Sequence, residues 1–179
     1  MILSREELIA EFGSTFEHSP WIAEAAFDRG AFQGVGRSAD GMIRLSEQEA
    51  ERIHEAMCEA FRAVPKEKRL AVLKAHPDLA GRLQPGDMTD DSQAEQAGAG
   101  LDRLSEEERE TFLDLNRRYQ ERFGHPFIVA VKGLTKRDIL ERFQQRIGND
   151  AQEELDTAAR EVERIAALRL RERVEEGGA

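Results

Sequence analysis

The chain lacks the cysteines with which small proteins build disulfides or metal sites. Among its 179 residues Cys58 is the single cysteine, so neither an internal disulfide nor a zinc site made of thiolates can form. Basic side chains are also in the minority, because 26 Lys and Arg stand against 36 Asp and Glu and leave a formal net charge of −10. Proteins that bind nucleic acid or an anionic membrane surface depend on Lys and Arg to neutralise phosphates. The composition therefore disfavours both classes of protein.

Long apolar runs are missing as well. No stretch approaches the roughly 20 apolar residues of a membrane-spanning helix. The N-terminal "MILSREELIAEFG" turns acidic early and lacks the apolar core of a secretory signal peptide. We therefore expect a cytoplasmic protein that binds neither membranes nor nucleic acid. The length suits one domain over residues 1–179 with a core of its own, in which residues 1–3 and 176–179 are expected to be frayed.

Helix start and stop signals recur along the sequence. Ser4 and Ser46 are each followed three residues later by Glu, which is the capping-box pattern. Ser19 is followed by Pro20, a residue favoured at the first helical position. Apolar residues then recur at the spacing of an amphipathic helix. These signals predict an all-α fold, a single compact helical domain of about eight helices, with helical stretches at 4–13, 19–30, 46–64, 65–75, 92–104, 105–124, 135–148 and 150–176.

One segment departs from this helical pattern. In "HPFIVAVKG" a β-like apolar run, Phe127 to Val131, lies between Pro126 and Gly133. The sequence shows no strand with which it would pair. Either the run is a buried helical turn, or its backbone groups need another partner. A bound ligand is one such partner.

The stretch "LKAHPDLAGR", Leu73 to Arg82, places a histidine where a helical pattern ends. The carbonyl groups at the end of a helix favour a protonated His76 ring, and Pro77 restricts the backbone that precedes it. A protonated ring held in one place is suited to proton transfer. The same pattern is also compatible with a purely structural histidine.

A second polar cluster lies in "SQAEQ", where Ser92, Glu95 and Gln96 supply a hydroxyl, a carboxylate and an amide within about one helical turn. One interpretation is a ligand-binding face. The other is a capping box in which Ser92 caps the helix and Glu95 completes the box.

A third candidate is Arg169, which follows the apolar residue Ile165 by one helical turn. A buried guanidinium needs an anionic partner, either a core carboxylate or a bound ligand. Metal binding is not predicted, because neither His76 with its neighbours nor the pair Asp90 and Asp91 has the spacing of a closed zinc site.

Four stretches, taken in order, are similar to one family of enzymes. "HPDLAGR", "SQAEQAGAGL", "LNRRYQERFGHPFIVAVKG" and "EVERIAALRLRERV" resemble the decarboxylases of 2-oxo-4-hydroxy-4-carboxy-5-ureidoimidazoline (OHCU), the third enzyme of urate breakdown. The likeness extends from Ser19 to Leu170. It implies an all-α, homodimeric enzyme without cofactor or metal, which takes a small anionic ureide, releases CO2 and leaves (S)-allantoin.

The resemblance also implies roles for individual residues. His76 matches the proton donor, and Glu95 matches a substrate-contacting glutamate. We expect Glu95 to be catalytic, because a carboxylate there can orient His76 or accept hydrogen bonds from the ureido group. Arg169 matches the anion-binding arginine, with Arg171 as the nearby alternative. Apart from the resemblance, a net charge of −10 repels an anionic substrate, so the pocket must be locally positive, and Arg82 is a further candidate for that charge. The other substrate-binding positions are Pro77, Ser92, Gln96, Phe127, Ile128, Val129, Ala130 and Val131.

The chemistry of the substrate fits these residue types. Loss of CO2 leaves negative charge on a carbon next to an electron-accepting ring, so fixed donors and one proton donor are needed, and an electron sink from outside is not. Two other functions remain open: another ureide lyase or hydrolase of the ureidoglycolate type, and a non-catalytic helical interaction module. The latter predicts that His76, Glu95 and Arg169 are far apart or solvated.

Overall fold

The structure is a computed structural model that describes residues 3–81 and 88–174. Within these ranges the chain forms eight helices and no sheet, which confirms the predicted all-α class. They are α1 Arg5–Phe12, α2 Pro20–Asp28, α3 Glu47–Ala63, α4 Lys66–Lys74, α5 Asp90–Gly98, α6 Glu106–Phe123, α7 Lys136–Arg146 and α8 Ala151–Arg171. No helix in the described part of the chain is both long and apolar enough to cross a membrane.

Local capping explains where most of these helices begin. The Ser4 and Ser46 side chains accept hydrogen bonds from the Glu7 and Glu49 backbone N–H groups, and each Glu side chain accepts in return from the cap backbone. Both predicted capping boxes are therefore confirmed. Equivalent boxes start α6 at Ser105 and α7 at Thr135. Ser19 precedes α2 as expected, but its hydroxyl donates to the Glu17 carbonyl instead of capping the helix.

The start of α5 differs from the expectation. Its N-cap is Thr89, whose side chain accepts from the Ser92 backbone N–H, so the helix begins at Asp90. Ser92 is the third residue of α5, and the capping-box interpretation of Ser92 with Glu95 is wrong. Thr89 was not predicted as the N-cap, because it lies in a polar stretch, "GDMTDDS", that contains several possible caps.

The chain divides into two compact units, residues 1–69 with 163–179 and residues 70–162. In the first unit α2 packs against α1 and α3. Aromatic pairs occupy its core, with ring centroids 5.1 Å apart for Phe12 and Phe32 and 5.6 Å apart for Phe16 and Phe61. Leu3, expected to be frayed, is buried. The prediction of a single domain over residues 1–179 stays a prediction.

The core of the second unit is centred on stacked aromatic rings. Phe127 lies parallel to Phe143 at 3.9 Å between centroids, and Tyr119 meets both rings edge-on. Val129 and Val131 point into the same cluster as Phe127. This alternation indicates an extended backbone across residues 127–131, and the burial of its side chains fixes the segment in the unit.

Candidate functional site

His76 lies two residues beyond the end of α4, with its backbone N–H bonded to the Leu73 carbonyl at 3.2 Å. Its ring is buried, and Nδ1 lies 3.0 Å from the Val72 carbonyl oxygen. A carbonyl only accepts hydrogen bonds, so Nδ1 must carry the hydrogen. Nε2 is therefore the position at which this ring gains or releases a proton.

The turn after His76 is braced by side chains from two helices. The Gln96 side-chain oxygen accepts from the Ala80 N–H at 3.0 Å, and its nitrogen donates to the Asp78 carbonyl at 3.3 Å. From α6, Asn116 donates to the Leu79 carbonyl at 2.9 Å. Ala80 has φ +56°, a strained left-handed conformation for a residue other than glycine. The braces therefore hold a turn that the backbone alone would not favour.

Asp78 is a further polar group beside this turn. Gln120 donates to its Oδ1 at 2.6 Å. Burial raises the pKa of the Asp78 carboxyl, and the Gln120 hydrogen bond opposes that shift. Asp78 is one of the neighbours of His76 whose spacing does not fit a closed zinc site. Asn116 was not predicted from the sequence, although a polar residue among the buried positions of α6 is a detectable signal.

The face of α5 brings together the three residues of the "SQAEQ" cluster. Ser92, Glu95 and Gln96 stand three and four residues apart in one helix and so share a face. Ser92 and Gln96 are buried and Glu95 is half-buried. Through Gln96 this face contacts the turn that follows His76 and Pro77. The predicted substrate contacts of these side chains stay predictions.

The segment of residues 127–131 is neither a helical turn nor a paired strand. All five residues are buried. Ile128 offers its carbonyl to Arg146 Nη1 at 2.7 Å, and the Ala130 N–H donates to Glu161 Oε2 at 2.7 Å. The sequence left open a buried helical turn or a segment whose backbone groups need other partners, and the structure shows the second. Side chains of α7 and α8 supply some of these partners.

Other backbone N–H groups of the segment have no hydrogen-bond acceptor among the described residues. Within residues 3–81 and 88–174, the N–H groups of Ile128, Val129 and Val131 donate to no protein acceptor. Buried backbone donors are nearly always paired. Donors fixed in a buried segment are the kind of groups that bind an anionic or carbonyl-rich ligand.

Arg169 belongs to the other unit, where it is buried beside a carboxylate. Its Nη1 lies 3.1 Å from Glu17 Oε2 and 3.0 Å from the Ser14 carbonyl oxygen, and the Arg169 and Glu17 side chains are 3% and 0% exposed. Of the two partners considered, a core carboxylate is present. Arg171 is exposed. The anion-binding role of either arginine stays a prediction.

Three further expectations concern Arg82, metal binding and the interaction-module alternative. Arg82 lies outside the described residues. Among those that the structure describes, no group of three or more His, Cys, Asp or Glu side chains is placed to hold a metal ion. His76 and Arg169 are buried and Glu95 is half-buried, so of the two outcomes that an interaction module predicts, solvated side chains are not observed.

Comparison with known proteins gives a consistent result. A sequence model of the family described as OHCU decarboxylase matches residues 2–171. The 2-oxo-4-hydroxy-4-carboxy-5-ureidoimidazoline decarboxylase of Haloferax volcanii is 40% identical over 171 residues, which cover 96% of this chain and 91% of that protein. The enzyme of the same name from Halalkalicoccus jeotgali is 38% identical and covers 94% and 85%.

A solved structure agrees with the sequence relatives. The crystal structure of an (S)-allantoin synthase superimposes with a TM-score of 0.68 at 25% identity. The match covers 96% of this chain and 51% of that one, so this chain spans about half of the longer protein.

Proposed function

Because the chain belongs to the OHCU decarboxylase family, we propose that it decarboxylates 2-oxo-4-hydroxy-4-carboxy-5-ureidoimidazoline to (S)-allantoin, a step of urate degradation. The observation that carries the proposal is the His76 ring, buried and held through Nδ1 by the Val72 carbonyl, so that any proton exchange of the ring takes place at Nε2. The family resemblance assigns the proton donor to this same residue.

The reaction breaks the bond between the substrate carboxylate and a ring carbon. CO2 leaves, and the electron pair of the broken bond stays on that carbon and spreads into the adjoining ring. The carbon then takes a proton on one face, which sets the configuration of the product. A protonated His76 would deliver this proton from Nε2 and become neutral, while Nδ1 keeps its hydrogen on the Val72 carbonyl.

Fixed hydrogen-bond donors would stabilise the charge that develops before protonation. The N–H groups of Val129 and Val131 are held in a buried segment and do not need to reorganise during the reaction. Donors of this kind usually provide the largest contribution to catalysis of such steps. Arg169 is the proposed cation for the substrate carboxylate, and we base that role on the resemblance.

The α5 face would complete the substrate contacts. Glu95 is the proposed acceptor for ureido N–H groups or for the protonated His76 ring. Ser92 and Gln96 are proposed to contact the substrate, and Pro77 to line the pocket. The amide of Gln96 already braces the turn after His76, so its replacement is expected to affect the position of the ring as well as binding.

The test is His76→Asn, assayed for (S)-allantoin by circular dichroism with freshly generated substrate. We expect the rate of enantioselective product formation to fall about a hundredfold or more, the usual contribution of a positioned general acid. The free energy of unfolding should change by only about 1 kcal/mol, since one hydrogen bond is lost. The matched control is His18→Asn. Its side chain is 46% exposed, and φ is +47° there, which Asn tolerates.

A His76→Asn protein that melts normally and works at the parental rate would show that His76 is not the proton donor. Glu95→Gln should also lose activity, because an amide cannot stabilise the imidazolium as a carboxylate does.

Offering ureidoglycolate alongside OHCU separates the proposed reaction from that of a neighbouring ureide enzyme. Activity on ureidoglycolate alone would contradict the proposed substrate.

We further propose that the protein is a cytoplasmic homodimer. The homodimer rests on the resemblance. Light scattering on the purified protein should give twice the mass of the 20.2 kDa chain, and fractionation of the source cells should recover the protein in the soluble cytoplasmic fraction. A monomeric mass would contradict the homodimer. Recovery of the protein with membranes would contradict the cytoplasmic location.

A further inference from the structure

We propose that Arg146 and Glu154 are positioning residues for the decarboxylation. Arg146 fixes the Ile128 carbonyl and thereby sets the direction and strength of the Val129 N–H as a hydrogen-bond donor. The inference rests on the proposed function, since it takes the segment of residues 127–131 to contact the substrate.

The Arg146 guanidinium is held from several directions. Nη1 donates to the Ile128 carbonyl at 2.7 Å, while Nε and Nη2 donate to Glu154 Oε1 at 2.8 and 2.6 Å. The guanidinium carbon also lies 4.4 Å from the centroid of the Phe127 ring, and that ring stacks on Phe143. Hydrogen bonds in the plane and an aromatic face beside it leave the side chain little freedom to move.

Glu154 is the buried anion that holds this arrangement in place. Its side chain is fully buried, and it also accepts hydrogen bonds from Asn149 Nδ2 at 3.0 Å and from the Tyr119 hydroxyl. A buried carboxylate is tolerated only where a cation and further donors compensate for lost hydration. Desolvation and Glu154 raise the pKa of Tyr119, which keeps the phenol protonated as a donor.

The geometry of the extended segment explains why only one side of it is held. In an extended chain, alternate residues direct their N–H and C=O groups to the same edge. Ile128 and Ala130 share one edge, and Arg146 and Glu161 bind it. The N–H of Val129 points to the opposite edge, where no described residue accepts it. Side chains of α7 and α8 thus bind one edge, and the other edge remains available to a ligand.

The contact of Arg146 with Ile128 acts on the open donor through one peptide group. The Ile128 carbonyl and the Val129 N–H belong to the same trans peptide and point in opposite directions. A cation at the carbonyl oxygen draws electron density from the nitrogen, and hydrogen bonds joined in this way strengthen one another. Arg146 therefore makes the Val129 N–H a stronger donor and fixes its direction.

A structural explanation of the same contacts makes a different prediction. If Arg146 and Glu154 served only stability, activity per folded molecule would be insensitive to their replacement. If they position a donor for the developing charge, small displacements reduce the rate of the chemical step, because misplacement by about 1 Å costs roughly a hundredfold. The two explanations are separated by comparing variants with similar losses of stability.

The test compares Arg146→Lys with Tyr119→Phe. A lysine keeps the charge but cannot bind Glu154 through two nitrogens and reach the Ile128 carbonyl at the same time. Tyr119→Phe removes another hydrogen bond from Glu154 and leaves the Arg146 contact with Ile128 in place. Arg137→Lys, on the exposed side of α7, controls for substitution in that helix.

We expect Arg146→Lys to lower kcat about tenfold to a hundredfold with a smaller change in KM. Tyr119→Phe should lower the melting temperature and leave kcat within about twofold, because its contact is not part of the donor peptide. The Val129 amide should shift upfield in the NMR spectrum of ligand-free Arg146→Lys and stay in place in Tyr119→Phe. If Arg146→Lys does not fold, Glu154→Gln replaces it with the same expectations.

Two results would overturn the inference, and they can be told apart. A parent protein inactive on OHCU contradicts the proposed function and the catalytic role of Arg146 with it. An active parent, together with an Arg146→Lys variant of unchanged kcat and unchanged Val129 amide shift, contradicts the inference alone. In that case Arg146 and Glu154 are structural.

Discussion

At the scale of single residues, His76 and His125 each donate a hydrogen bond from Nδ1 to a backbone carbonyl, but their surroundings differ. Nδ1 of His76 bonds to the Val72 carbonyl at 3.0 Å, and Nδ1 of His125 to the Pro126 carbonyl at 2.9 Å. In both rings Nδ1 therefore carries the hydrogen. His125 packs edge-on against Tyr119, and desolvation there lowers its pKa. Such a ring is kept neutral and is suited to a structural role.

The lowered pKa of His125 makes stability depend on pH. In the unfolded chain the ring has the ordinary histidine pKa of 6.5, whereas in the folded protein the pKa is lower and the ring protonates only at lower pH. Below about pH 6.5 the unfolded state binds more protons, so the contribution of His125 to stability is present at neutral pH and is lost on acidification. The free-energy difference in unfolding between the parent and His125→Gln should therefore shrink from about pH 7.5 to about pH 5.5.

Urea denaturation at both pH values measures this difference. Comparing parent and variant at each pH cancels the titration of groups that both proteins share. A difference that stays constant across the two pH values would show that burial does not perturb His125.

At the scale of helices, the end of α6 sets the entry to the buried segment. Gly124 closes the helix in the left-handed conformation, with φ +75° and its N–H bonded to the Gln120 carbonyl. His125 and Pro126 follow directly, and the segment of residues 127–131 begins. A side chain at Gly124 would meet no atom within 4 Å, so any effect of its replacement comes from the backbone conformation alone.

Two glycine replacements test that reasoning. Gly124→Ala should destabilise the protein by about 1 kcal/mol, because a Cβ atom is strained at positive φ. Gly98→Ala is the matched comparison, since it also has free space around the new methyl group but lies within the last turn of α5. There the change should stabilise by about 0.5 kcal/mol, through the helix propensity of alanine. Thermal melting of both variants checks the signs, and equal effects at the two sites would contradict the explanation.

At the scale of the whole molecule, the net charge of −10 opposes the approach of an anionic substrate. The proposed reaction therefore requires locally positive groups in the site. Arg146 does not add net positive charge, because the Glu154 carboxylate neutralises it. Oriented peptide donors and the proposed role of Arg169 would have to supply the attraction.

We expect decarboxylation to survive exhaustive chelation without an added cofactor. The substrate ring accepts the electron pair released with CO2, so the reaction has its electron sink in the substrate. The measurement is (S)-allantoin formation before and after dialysis against EDTA. Loss of activity that a divalent ion restores would overturn this expectation, and recovery of the original rate by dilution of EDTA alone would point to inhibition by the chelator.

Features that depend on near neighbours in the chain were predictable from the sequence. The Ser4 and Ser46 capping boxes involve residues three positions apart, and the all-α class follows from periodicity within single helices. The position of His76 after a helix is local in the same sense. Where local signals compete, as at Thr89 and Ser92, the prediction was wrong by three residues, because either hydroxyl is a suitable cap.

Contacts between distant parts of the chain were decided by the tertiary structure. Glu17 and Arg169 are far apart in sequence and meet as a buried ion pair, and no spacing rule predicts which carboxylate an arginine will reach. In the same way Arg146 reaches the Ile128 carbonyl, and the apolar run of residues 127–131 is held by side chains instead of a neighbouring strand. The sequence by itself determined which segments are helical, since that depends on hydrogen bonds and side chains within about four residues. Packing decided which buried polar groups pair, because a desolvated group can be stabilised only by partners that the fold brings near it.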